Sequence, residues 1–365
     1  MSAAPERLGS LDVARGLAVV GMIVVNWAAI VDHLRLGPVP QQLLHAKWVG
    51  ITLADLVFPA FVFLMGLSFA LRSPASSKST ITANVWFRTI RLFTAGWLLS
   101  NLQWLASPDG EAFRLMGVLQ RLALVYIAVA LIVAYASPRL QVWIALAVLL
   151  GYWLLLLVPP PNLRPPDLYS PGMNFVSWFD RFALGRHIYV AGEAGYDPEG
   201  ILGTLPAIAQ CLFGVQAGRW LRTGHTALHI TAGLAAAGFV GVAFGLLWSP
   251  LLPISKPMWS SSFVLLTTGV TLLVFALIYW VVDVHRRDGP TTAFLEAFGL
   301  NAVTAYILHS LVLTAMTAAA ARLLLAGPRS SAETLLAVVM SFVGLVGFTW
   351  SVAAYLRRRG IIVRI

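Results

Sequence analysis

Apolar residues in this chain come in long runs separated by short polar stretches, and several runs approach or exceed the ~20 residues that cross a bilayer as a helix. Ten can be marked, at approximately 14–31, 51–71, 86–105, 115–136, 140–158, 201–221, 227–247, 260–282, 293–316 and 332–356. The pattern predicts an all-α polytopic membrane protein: one domain, 1–365, of about ten transmembrane helices, its core set by helix packing in lipid. The first run, Gly16 to Val31, has no small-residue cleavage site and many spans follow it, so it reads as a retained helix and not a signal peptide.

Composition strengthens this reading. Of 365 residues, 59% are hydrophobic and 11% charged, with mean hydropathy +0.81; soluble domains carry roughly 25% charged residues. The formal charge of +10 would suggest nucleic acid, but its distribution gives another reason. Placing the loops alternately on two sides puts 15 of the 25 lysines and arginines on one of them: Arg7, Arg15, Arg72, Lys78, Arg88, Arg91, Arg139, Arg219, Arg222, Arg286, Arg287, Arg357, Arg358, Arg359 and Arg364. Positive residues are enriched on the cytoplasmic side, so both termini are expected there, in a cell (inner) membrane. The charge is then mostly a topology signal.

The longest connection, about 159–200, falls on the extracytoplasmic side. Its opening, "VPPPNLRPPDLYSPGMN", is too proline-rich for regular helix, and "YDPEG" at 196–200 reads as a tight turn entering the next helix. The single cysteine, Cys211, excludes an intrachain disulfide and a cysteine-based metal site. His225 and His229 of "HTALH" are four apart but lack the glutamate of a zinc protease, and no GxSxG, HExxH or Walker loop occurs. No metal is expected.

Ionisable groups inside spans are costly and mark functional candidates. Asn26, His45, Asp55, Arg121 and His309, from five segments, come out at one depth near the outer surface when each span is taken as one straight helix. His309 would then lie ~16 residues, roughly 24 Å, along span nine. Each also has a plainer role: Asn26 and His309 as helix-packing groups, Asp55 and Arg121 as an ion pair, His45 as an interfacial loop residue. His45 and Asp55 are ten residues apart, about 15 Å on a continuous helix, so a direct pair requires "HAKW" to fold back.

Five stretches, "RLGSLDVARGLAVVGMIVVNW" (7–27), "HAKWVGITLADLVFPAFVFLMG" (45–66), "GVLQRLALVY" (117–126), "YDPEGILGTLPAIAQCLFGVQAG" (196–218) and "LNAVTAYILH" (300–309), resemble, in order, the heparan-α-glucosaminide N-acetyltransferase family and its bacterial relatives. That group looks like a branch of transmembrane acyltransferases sharing an LDxxRG opening, here Leu11, Asp12, Arg15 and Gly16. Two features depart from the family: the inserted "DHLRLGPVP" before His45, and the absence of the large lumenal domain before the first core helix.

The resemblance implies transfer of an acetyl group from cytosolic acetyl-CoA, a co-substrate, to an amino sugar or related saccharide acceptor across the membrane. The family's active histidine falls on His45, with an asparagine on Asn26, an aspartate on Asp55 and a late histidine on His309. His45 would carry the acetyl group transiently or take a proton from the acceptor amine; Asn26 would stabilise the oxyanion; His309 would position the acceptor or act as a second base. Arg15, Arg88, Arg91 and Arg121 are the candidates for holding CoA, and Trp48, Tyr196, Asp197, Glu199 and Asn301 for holding the acceptor. Membrane lipid and a second copy in a homodimer are the other partners implied. A transporter or flippase for a sugar or lipid-linked saccharide is the competing class; it explains the spans and the long loop but not the match of the polar set.

Overall fold

The computed structural model describes residues 8–72, 82–106, 112–161, 165–325 and 330–363. Arg7, Lys78 and Arg364 of the charge pattern lie outside them. Thirteen α-helices are found among the described residues: α1 Gly9–His33, α2 Ala54–Arg72, α3 Ala83–Ser100, α4 Leu102–Ala106, α5 Val118–Tyr135, α6 Pro138–Leu156, α7 Phe175–Leu184, α8 Thr204–Trp220, α9 Ala227–Trp248, α10 Ser261–Tyr279, α11 Pro290–Leu300, α12 Ala302–Leu325 and α13 Ser331–Arg358. The protein is all-helical; β structure among the described residues is limited to one isolated bridge, Val190 with Tyr196. Among the described residues, eight helices are long and apolar enough to span a bilayer. The predicted spans 86–105 and 201–221 are helical but fall short of that measure. α3 carries Arg88 and Arg91, and α8 is 17 residues long with two glutamines and an arginine.

Two compact units emerge from the chain's internal contacts. One is formed by Met1–His45, Thr52–Phe58 and Val274–Ile365, the other by Ala46–Ile51 and Pro59–Leu273. In the first, α1 packs on α11, α12 and α13. Glycine makes the α1–α11 contact possible. A Cβ on Gly16 would stand 1.9 Å from the Leu295 carbonyl oxygen, and one on Gly299 would stand 1.7 Å from that of Asp12. The two backbones therefore touch, the usual use of small residues between membrane helices, and this gives Gly16 of the LDxxRG opening a structural reason. Leu8 at the start of α1 cannot cap a helix. Asp283, delivered by a π-helical turn at Trp280–Val284, accepts from the Gly9 N–H (3.0 Å) instead, putting a carboxylate at the positive helix end.

The predicted ninth span is broken. Residues 290–325 form α11 and α12, separated at Asn301, whose backbone (φ −123°, ψ 45°) leaves the helical region. The one-helix depth for His309 therefore fails: it sits eight residues past Asn301, about 12 Å along α12.

In the second unit, α3 packs on α5, and α8 on α5 and α6. α8 also meets α2 backbone to backbone at Gly66 and Gly214. The connection between α6 and α8 holds the short helix α7. Its N-cap, Asn174, accepts from the Ser177 N–H at 2.9 Å, and this lies beyond the prolines that preclude helix earlier in the segment.

Candidate active site

The "HAKW" segment folds back. After a 3-10 turn at Gln41–Leu43, the chain bends through Gly50 (φ +111°), a left-handed backbone that favours glycine. It re-enters helix at Ala54. His45 Nδ1 lies 2.8 Å from Asp55 Oδ1. The other carboxylate oxygen accepts from the Thr52 N–H and hydroxyl, both at 3.0 Å. The Thr52 N–H and hydroxyl thus hold the carboxylate in place at the start of α2. The Asp55 side chain is fully buried, whereas that of His45 is 42% exposed. A carboxylate acceptor requires Nδ1–H, which leaves the basic lone pair on Nε2, at the far side of the ring.

A second polar pair joins α1 and α12. Asn26 Nδ2 is 3.0 Å from His309 Nε2, and His309 Nδ1 is 3.3 Å from the Ala305 carbonyl oxygen. That carbonyl can only accept, so Nδ1 carries the proton, Nε2 accepts, and the Asn26 amide donates. His309, fully buried, uses both ring nitrogens to fix Asn26. Asn26 itself is half-buried and retains a second amide N–H. Both pairs belong to the first unit, and the Gln41–Leu43 turn packs on α1. The structure thus brings His45 to Asp55 and Asn26 to His309, two pairings that spacing along the chain does not predict.

Asn301 belongs to the same unit but has a different setting. Its amide donates to the Ile361 carbonyl (3.0 Å) and accepts from the Val363 N–H (2.8 Å). The side chain, 3% exposed, pins the segment after α13 to the α11–α12 break. Arg15 of α1 lies 3.3 Å from Asp12.

The remaining candidates lie in the second unit. Trp48 is buried, donates from Nε1 to the Leu168 carbonyl (3.0 Å), and meets the Tyr196 ring edge-on at 4.8 Å. "YDPEG" is the expected turn, with the Gly200 N–H bonded to the Asp197 carbonyl at 3.0 Å. Its acids are engaged by Arg114, a residue that the sequence reading had not singled out. Arg114 Nη2 is 3.2 Å from Asp197 and 2.5 Å from Glu199, and its guanidinium lies 4.2 Å over the Tyr189 ring. Burial disfavours charge on both acids. It wins at Asp197, which is raised, whereas at Glu199 Arg114 and Arg121 outweigh it and hold the carboxyl below its ordinary value. Arg121, 1% exposed, donates to the Gly200 carbonyl at 3.2 Å and lies 4.9 Å over Trp259, so it braces this turn from below. Arg88 lies 4.7 Å over Tyr126, and Arg91 is exposed. Among the described residues no cluster of three or more histidines, cysteines or acids is placed to hold a metal ion; His225 and His229 are gathered around Trp220.

Asp180 of α7 accepts from the Ile201 N–H at 2.9 Å and ties α7 to the start of α8. Burial, with Asp197 adding to it, pushes its carboxyl up to about 7. A folded-state value above the unfolded one stabilises the fold fully below the unfolded value, and that contribution is lost as pH rises through the folded value. The melting midpoint of wild type should therefore fall more between pH 5 and pH 8 than that of Asp180→Asn; equal slopes would show that Asp180 is not the titrating group.

The family model described as "Heparan-alpha-glucosaminide N-acetyltransferase, catalytic" matches residues 7–184. This range carries Asn26, His45 and Asp55. The chain is 30% identical to heparan-alpha-glucosaminide N-acetyltransferase from Homo sapiens, over 85% of this chain and 53% of the relative. It is 27% identical to the protein of that name from Mus musculus, over 84% of this chain and 54% of the relative. It spans about half the length of these curated relatives. The order of its motifs and these matches together support the heparan-alpha-glucosaminide N-acetyltransferase family as the one this chain is similar to.

Proposed function

We propose that the protein is a membrane-embedded N-acetyltransferase that takes acetyl from cytosolic acetyl-CoA and gives it to the amine of an amino sugar on the opposite side. The observation that carries this is the His45–Asp55 pair, a solvent-reaching imidazole oriented by a buried carboxylate within the stretch the family model matches. His45 Nε2 removes a proton from the acceptor amine as the amine nitrogen attacks the thioester carbonyl. The amide C–N bond forms, the C–S bond breaks, and the proton passes to the departing thiolate. The second N–H of Asn26, held by His309, donates to the developing oxyanion. Arg15, in the same unit as both pairs, supplies charge for the CoA phosphates.

Proteoliposomes give the test. With amino sugars sealed inside and radiolabelled acetyl-CoA added outside, labelled amide should accumulate in the lumen, from the fraction of protein whose CoA side faces out. Release of free CoA should match it. Passage of unmodified sugar without CoA release would favour the transporter class. Label retained by wild type but not by His45→Ala when no acceptor is present would put the acetyl group on His45 between two half-reactions.

A further inference from the structure

α7 divides into two faces. Val176, Ser177, Asp180 and Leu184 are buried. Phe175, Trp178 and Phe182, at i, i+3 and i+7, point the other way, with successive ring centroids 5.3 and 5.8 Å apart. Phe182 is 75% exposed. Phe175 and Trp178 are half-buried, and a soluble loop would not gain from showing water a row of partly or mostly exposed aromatic rings.

The position of the helix identifies what covers that row. Val176 packs in one cluster with Tyr152 and Leu156, at the last turns of α6, and with Leu252, just past α9. Both α6 and α9 are long and apolar enough to be spans, so α7 lies where they end. The outward surface of α6 in its last turns is itself apolar, with Leu154 and Leu157 exposed. Trp153 and Trp248 meet at 5.5 Å in the same layer, which matches the enrichment of tryptophan where bilayer meets water. Arg186, exposed just beyond α7, is placed to meet lipid phosphate.

We propose that α7 is an interfacial helix whose Phe175–Trp178–Phe182 face inserts among the headgroups and upper acyl chains of the leaflet on the 159–200 side, anchoring this connection to the membrane surface. The inference rests on packing and exposure and does not depend on the acyl transfer.

Spin labels test it. The sole native cysteine, Cys211, is buried, so nitroxides can be attached selectively at Phe182→Cys, with Phe175→Cys as a second site on the same face. Leu154→Cys serves as the lipid-facing reference and Glu193→Cys, on an exposed turn, as the aqueous one. In phosphatidylcholine proteoliposomes of the full chain, labels at 182 and 175 should relax more with oxygen than with a water-soluble nickel chelate, as at 154, and the label at 193 should do the reverse. Nickel accessibility at 182 and 175 equal to that at 193 would overturn the proposal. So would shielding from nickel that appears only when a soluble amino sugar is added, because the row would then be a saccharide platform.

Discussion

Asp55→Asn is expected to reduce turnover by about 10²–10⁴-fold, the range by which a positioned acid or base typically accelerates a reaction, while leaving acetyl-CoA affinity near wild type. The substitution keeps the shape of the side chain but changes what it offers the ring. An aspartate can only accept, which fixes Nδ1–H and the lone pair on Nε2. An asparagine amide can turn its N–H₂ toward Nδ1, and the proton then moves to Nε2, where the base is needed. The loss should appear in the chemical step, so kcat should fall far more than KM rises. The buried environment also makes the change informative: Thr52 holds the second oxygen, so the folded start of α2 should survive. An Asp55→Asn protein with kcat within tenfold of wild type would show that this carboxylate only caps the helix.

The second large effect concerns folding. Gly299→Val should prevent α1 and α11 from closing, because its Cβ would overlap the Asp12 carbonyl oxygen and no side chain there can rotate away. Overpacking that neighbours can absorb costs about 1–3 kcal/mol. Here a backbone must move, so the cost should exceed that range, and little monodisperse protein should be recovered in detergent. Gly16→Ala meets Leu295 in the same way and should lower the melting midpoint clearly. A Gly16→Ala protein melting like wild type would mean that the helices have room to separate. Gly344 of α13, with nothing within 4 Å of an added Cβ, is the control and should tolerate alanine.

Much of the architecture is legible in hydropathy because a bilayer imposes one solution, the helix, on every apolar run of sufficient length. What escapes it is local. The break at Asn301 lies inside an unbroken apolar pattern, and only the sequence Gly299-Leu300-Asn301, with two residue types that favour helix ends, hints at it. The ten-residue spacing of His45 and Asp55, about 15 Å on a continuous helix, does not by itself imply their contact, which depends on the chain folding back before α2. The signal that was available is Thr52-Leu53-Ala54-Asp55, a helix-start pattern that puts the beginning of α2 after His45 and so places a turn between the two. Arg114 could not be found this way. Its partners, Asp197 and Glu199, are more than eighty residues away, and nothing in local pattern pairs them. The LDxxRG glycine is the converse case: the family motif marks it, and only the structure explains it, by contact with α11.

The most direct measurement of the central claim is a kinetic cycle on purified protein with acetyl-CoA and an accepted amino sugar, comparing wild type, His45→Ala, Asp55→Asn and the double variant. Groups that act as one unit lose their effect together. His45→Ala should cut turnover by at least about 10²-fold to a residual rate with acetyl-CoA still bound, and the double variant should be no slower than His45→Ala alone. Turnover by His45→Ala within tenfold of wild type, or losses that multiply in the double variant, would contradict a reacting histidine oriented by Asp55.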